Sequence, residues 1–329
     1  MTPEQQTSFE ALSRWSSQLD DRLPLTFLLG FYVTLVVKRW WDQYNALPWP
    51  DSLAFYLRGL VTGGEKEEGV IIRRTVIRYS LLSYILCIRR ISARLRKRYP
   101  SIQEIVKARL MRQDEAERIG SENSDEMYET NWGLPLQWST EILSAALEEG
   151  TIKSAPGYTL LLKEIASFRS SLTRVETYGH IPVPLVYTQV VTIAVHFYLI
   201  VSLIGGQWLL KTRDETGLEV EPQLDLYYPI LPTIKFLFIF GWLKVAENLY
   251  NPFGEDDLDF QLNELTERHL KVALNIVSSS KSPPPLSRDE FWCQANPVLE
   301  DSTSLSLEDE SKLSKSGQII LSESSHRNI

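Results

Sequence analysis

Long uncharged runs alternate with polar stretches along this chain, and three of the runs are candidates for crossing a lipid bilayer. Ile181–Leu210 holds thirty residues without Asp, Glu, Lys or Arg, with His196 as its only imidazole. A bilayer core takes roughly 20 helical residues, so this run is long enough to span. Pro182 and Pro184 suit its start and Gly205–Gly206 its end. Leu23–Val37 is fifteen uncharged residues between Arg22 and Lys38, short on its own, but Trp40 and Trp41 follow as interfacial aromatics do. Leu226–Leu243 is interrupted by Lys235 and ends near Trp242. A lysine within a span must snorkel, pair or face water. His196 is expected to be a packed residue rather than a proton relay.

Between these runs the periodicity is helical. Ile72, Val76, Leu81, Ile85 and Ile88 predict one long helix over Val70–Arg98, stopped by Tyr99–Pro100. Leu161, Leu162, Ile165, Phe168 and Leu172 predict an amphipathic helix over Thr159–Thr173. Asn123–Glu129 reads as a loop, and Trp132, Pro135 and Trp138 as an aromatic cluster at an interface. Strand patterns are scarce, so the fold class is all-α: a multi-span helical membrane protein with a large cytosolic helical region.

Charge refines the picture. The net charge is −8, and residues 251–329 account for most of it, with 14 acidic against 7 basic side chains. The remainder is nearly neutral, which argues against nucleic acid as a partner. Lys38 to Arg98 holds 13 basic and 5 acidic residues, whereas residues 1–22 and 205–225 carry net negative charge. The positive-inside rule places the basic segment in the cytosol and the two acidic flanks outside. Arg94, Arg96, Lys97 and Arg98 form a basic cluster, read as a solvated face that sets topology, or as a contact for anionic lipid. Cys87 and Cys293 have no metal-site or disulfide spacing and read as structural thiols in a reducing compartment. No G-x-S-x-G, H-E-x-x-H or phosphate loop occurs, and the four histidines are scattered, so an enzyme is not expected.

One polar segment carries candidate chemistry. Asn248, Asn251, Glu255, Asp256, Asp257 and Asp259 follow the third apolar run, with Pro252 and Gly254 among them to turn the chain. Calcium favours several oxygen ligands from carboxylates, amides and carbonyls, and this segment supplies all three. The spacing is not that of an EF-hand.

Several strings resemble one family. GFYVTLVV at Gly30–Val37, RWW at Arg39–Trp41, LPWPD at Leu47–Asp51, RRTVIRY at Arg73–Tyr79, PLVYTQVV at Pro184–Val191, GWLKVAE at Gly241–Glu247 and NPFGEDD at Asn251–Asp257 are similar to the bestrophins, calcium-activated chloride channels. Asp289, Phe291 and Trp292 resemble a later motif of the same family. The resemblance implies a homo-pentamer around one pore, embedded in membrane lipid of the plasma membrane. It places the pore neck at Leu23, Phe27 and Phe31, which lie one helical turn apart and so share a helix face. It implies regulatory Ca2+ at Asn248, Asn251, Asp256 and Asp259, with Asn248 where the family usually has Gln, and chloride as the permeant ion. It treats Glu164 and Arg169 as structural, and expects a second constriction near Pro156–Tyr158.

The expected organisation is a polar segment over 1–22, a neck helix over 23–37, a cytosolic region over 38–180 and a membrane helix over 181–204. An external loop over 205–225, a membrane helix over 226–243, a calcium-binding and wrapping segment over 244–296 and a disordered tail over 297–329 follow. The family carries a further N-terminal membrane helix ahead of the point where this sequence starts. That difference leaves three spans with an external N-terminus, and it raises a competing function: a non-conducting regulatory or scaffold subunit that assembles with full-length relatives.

Overall fold

The computed structural model describes residues 2–22, 24–61, 67–119, 131–207, 230–278 and 284–288. Leu23, Asn123–Glu129, Cys293, the Asp289, Phe291 and Trp292 motif, most of the expected external loop and the tail lie outside these residues. The chain divides into two units, Met1–Ser280 and Lys281–Ile329, and the described helices all belong to the first.

Twelve α-helices make up the described residues, with no strand and a single isolated bridge between Val61 and Ile152. In chain order they are α1 (Pro3–Arg22), α2 (Leu25–Ala46), α3 (Asp51–Leu60), α4 (Glu67–Ile91), α5 (Ala93–Arg98) and α6 (Ile102–Lys107). They continue with α7 (Gln113–Ile119), α8 (Leu134–Glu148), α9 (Ala155–His180), α10 (Leu185–Gly205), α11 (Ile230–Leu249) and α12 (Leu262–Ser278).

Two apolar cores organise them. The larger centres on α4, against which α3, α8, α9 and α12 pack. Every residue of α4 from Ser80 to Ile88 is buried, which explains why its sequence is apolar nearly all round. The smaller core joins α2, α10 and α11 through Leu29, Val33, Val36, Val195, Tyr198 and Leu243. Arg39 bridges the two: its guanidinium donates to the carbonyls of Tyr178 and Ile181 at 2.9 and 2.5 Å and lies over the Tyr178 ring.

Three expectations change in detail. The long helix over Val70–Arg98 is two helices. Ser92 adopts an extended backbone between α4 and α5 and caps α5 by accepting from the Leu95 N–H. The polar segment 1–22, for which no element is predicted, forms α1, and it lies along α10 with Ser13 and Ser16 buried. Gly205 makes that approach possible, since a Cβ there would sit 2.8 Å from the Ser17 nitrogen; small residues serve close helix contacts in this way. The amphipathic helix extends to Ala155–His180 and buries Leu161, Ile165, Phe168 and Leu172 as the periodicity requires.

Trp132, Pro135 and Trp138, expected to cluster at an interface, instead serve the larger core, where Trp132 and Pro135 are buried and Trp138 packs against it. Trp132 donates through Nε1 to Glu176 at 3.1 Å, and Trp138 packs on Tyr79 at 5.4 Å between ring centroids. Cys87 is a free, buried thiol whose pKa is pushed up to about 12, by burial first and then by the Glu176 charge. It is inert under ordinary conditions.

Candidate pore and calcium site

Helix α2 presents two faces of opposite use. Leu25, Leu29, Tyr32, Val33 and Val36 pack inward against α10 and α11. Phe27 and Phe31 point away, 78% and 59% exposed. Two phenyl rings one turn apart on a single outward face are unusual cargo for water-facing helix, because each leaves a large apolar surface uncovered. Leu23, the third expected neck residue, lies outside the described residues.

The neighbouring helices are equally apolar on the outside. α10 is long and apolar enough to cross a membrane by length and composition, and little of it is buried. Its outward face carries Ile193, Phe197, Ile200 and Leu203, and that of α11 carries Ile234, Leu237, Phe238 and Trp242. α2 and α11 have 22 and 20 residues, lengths suited to a span, but include Lys38, Arg39 and Asp42, and Lys235, Lys244 and Glu247. Lys235 places its Nζ 5.2 Å from the centroid of the Tyr198 ring, a cation–π contact that compensates the charge in an apolar setting. His196 packs edge-on against Phe240 at 6.4 Å between ring centroids, as a packed residue should, but on the outer side of α10. It is exposed, and its Nδ1 donates to the Thr192 carbonyl at 2.7 Å.

Directly after α11 the chain turns through Asn251–Phe260. The aromatic side chains of Phe253 and Phe260 are buried, and Phe260 stacks near Trp40 and Tyr44 with centroids 5.1 and 5.8 Å apart. This anchors the turn to the end of α2. Within it, Asp259 Oδ2 accepts from the Asp256 N–H at 2.7 Å, and the Asp259 N–H donates to the Asp256 carbonyl at 3.0 Å. The Asp259 carboxylate also fills the space over Gly254, where an added Cβ would come within 2.6 Å of Oδ2. Only glycine fits.

Asp259 is buried, whereas Asn248, Asn251 and Asp256 are exposed. Burial pushes the Asp259 carboxyl above the usual carboxylate range and the Asp256 charge adds to this, while the Asp256 N–H and Arg94 oppose it. The turn links Asp256 to Asp259 by hydrogen bonds and holds the Asn251 carbonyl against the Gly254 N–H at 3.4 Å; Asn248 sits earlier, in the last turn of α11. Among the described residues, no three His, Cys, Asp or Glu side chains converge as a metal cluster, so any cation here draws on amide and carbonyl oxygens as well. That donor set fits calcium.

The basic cluster on α5 is largely solvent-exposed, as a solvated face should be, yet two of its members also reach this turn. Arg94 donates to the carbonyls of Glu255 and Asp256 at 2.8 and 2.5 Å and to Gln261 at 3.0 Å. Lys97 pairs with Glu255, and Arg98 pairs with Glu267 at 2.9 Å. Only Arg96 stays local, donating to the carbonyls of Arg89 and Arg90. The sequence signal was present as opposite charge runs, but about 160 residues separate them and nothing local pairs them.

Of the other positions, Glu164 and Arg169 lie on α9, with Arg169 exposed. Near the expected second constriction, Pro156 is exposed and Gly157 is buried in the first turn of α9, capped by Ser154.

Comparison with known proteins matches residues 1–279 to a family model described as Bestrophin, RFP-TM, chloride channel. The chain is 40% identical to Bestrophin-1 of Sus scrofa over 298 residues, covering 90% of this chain and 50% of that protein. It is 39% identical to human Bestrophin-3 and 40% identical to mouse Bestrophin-2, covering 89% of this chain in each case and 43% and 56% of those proteins. The chain therefore spans about half the length of the curated relatives it matches. A solved bacterial bestrophin homologue from Klebsiella pneumoniae superposes with a TM-score of 0.60 at 19% identity, covering 80% of this chain and 87% of that one. A second structure of that homologue gives 0.58 at 19% identity, covering 82% and 87%. At that identity the likeness concerns the fold.

Proposed function

The chain belongs to the bestrophin family, and on that footing we propose that it is a subunit of an anion channel in the plasma membrane, assembled as a homo-pentamer and opened by cytosolic calcium. The observation that carries this reading is the outward pair Phe27 and Phe31 on a helix whose opposite face is fully packed. Repeated around an axis, Phe27 and Phe31 make apolar rings. Rings of this kind gate by dewetting, and the partly positive edges of phenyl rings suit a passing anion such as chloride. The exposed faces of α10 and α11 are the surfaces for lipid, and α2, α10 and α11 are the three spans.

The regulatory ion would be held by Asn251, Asp256 and Asp259, with Asn248 at the margin. Calcium, when bound, would supply positive charge to the Asp259 carboxylate, which burial otherwise disfavours. The chain's own residues do the rest. Gly254 and the Asp259–Asp256 hydrogen bonds shape the turn, Arg94 fixes two of its carbonyls, and Phe260 ties it to Trp40 and Tyr44 at the foot of α2. The site and the neck are thus joined through one helix.

The test is halide flux from liposomes holding the purified protein. Flux should rise with micromolar calcium and vanish with a chelator. The double variant Phe27→Ala, Phe31→Ala should conduct without calcium. No flux from either protein rejects the channel reading.

A further inference from the structure

A cavity of about 320 Å3 lies between α4, the α6–α7 connection and the second half of α12, away from the neck and the calcium turn. Leu81, Leu110 and Leu274 give it an apolar body, and Arg74, Arg78 and Arg109 line it with guanidinium groups. Its volume is in the range of small-molecule sites.

The three arginines are not equivalent. Arg78 is neutralised by a two-point pair with Glu115 at 2.7 and 2.6 Å. Arg74 donates to the Ser278 hydroxyl, an uncharged partner. Among the described residues, Arg109 has no side-chain hydrogen bond or ion pair. Among the described residues, these two positive charges therefore border an apolar space without a carboxylate to balance them.

Arg109 is also conformationally costly. Its φ of 60° makes it the one non-glycine residue in the left-handed region among those described. It stands just past the end of α6, where its N–H donates to the Val106 carbonyl at 2.9 Å. Glycine is the usual residue at this position, because a side chain is disfavoured there. The turn does not call for arginine.

We propose that this cavity binds a small amphiphilic oxyanion, a phosphate or carboxylate on a short apolar body, with Arg74 and Arg109 holding the oxygens and the leucines covering the body. Guanidinium groups suit planar and tetrahedral oxyanions through paired N–H donors.

The experiment titrates butyl phosphate into the full chain in lipid nanodiscs, read by calorimetry and by thermal unfolding. Inorganic phosphate and butanol serve as the half-ligands. Butyl phosphate should bind saturably and raise the unfolding temperature, with each half-ligand at least about tenfold weaker. Arg109→Gly should fold at least as well, since glycine suits the backbone, yet bind about tenfold more weakly, and Arg109→Lys should retain part of the affinity. No saturable binding overturns the proposal. So does equal binding of inorganic phosphate, or wild-type affinity in Arg109→Gly.

Discussion

Helices α4 and α10 are both long and strongly apolar, yet they spend their side chains in opposite ways. In α4 the unbroken stretch from Ser80 to Ile88 is buried among α3, α8, α9 and α12. In α10 only Val191, Val195, Tyr198, Leu199 and Val201 are buried, a stripe at helical spacing, and the rest of its apolar surface faces outward. The first pattern completes a core within one chain. The second leaves surface that water would penalise at about 25 cal/mol per Å2, so it is made for another solvent or another copy. Apolar content alone does not separate them; the share of each helix that finds a partner does.

The largest effect that sharpens this contrast comes from one substitution made in both helices. Ile85→Ala in α4 should cost about 3 kcal/mol, because it opens a cavity in a closed core. Ile193→Ala in α10, where the side chain is 68% exposed, should cost less than about 0.5 kcal/mol in the same chemical-denaturation measurement. Equal losses would break the contrast.

The closed core also holds titratable groups, and these give it a pH signature. His269 on α12 is fully buried between Trp49 and Tyr84. Burial, then the Arg268 charge, push its pKa down to about 4, with Asp51 opposing. The unfolded imidazole takes up its proton near pH 6.5, so between there and about pH 4 the unfolded state binds more protons. Stability should fall as pH drops through that window, by roughly 2 to 3 kcal/mol in all. Unfolding curves of His269→Asn should lose this slope.

A smaller cost attaches to Glu115. Burial alone would raise its carboxyl, but the Arg78 hydrogen bonds, the Arg112 N–H, the Arg78 charge and the Tyr79 hydroxyl together hold it below the usual range. The stabilisation is present above the ordinary carboxylate pKa and lost as pH falls through the lowered one. Glu115→Gln should destabilise by about 2 kcal/mol near neutral pH, since Arg78 is left part-buried beside a neutral group. Least of all, Lys97→Ala should change stability by no more than about 0.5 kcal/mol, because Lys97 and Glu255 are 73% and 40% exposed.

These differences mark what a sequence can carry. The helices α9 and α10 were legible because their apolar positions recur at a helical period over many turns. The break at Ser92 was not, since one serine within a helical pattern gives no local sign that its backbone is extended. α1 was hidden because a polar helix buries only small groups, Ser13 and Ser16, against Gly205. At the turn after α11, Asp256 and Asp259 could be found from composition and resemblance, and Gly254 from its turn chemistry. The grip of Arg94 on the turn could not, because it joins segments far apart in the chain. Phe27 and Phe31 were legible as a shared helix face, but which way that face points is a property of packing.

The account rests on the outward face of α2 lining an aqueous path while that of α10 meets lipid. Single cysteines at Phe31 and Ile193, exposed to a charged, water-borne thiol reagent during current recording, test it most directly. Phe31→Cys should react and change the current, and Ile193→Cys should leave it unaltered. Reaction at residue 193 with silence at residue 31 would contradict the account.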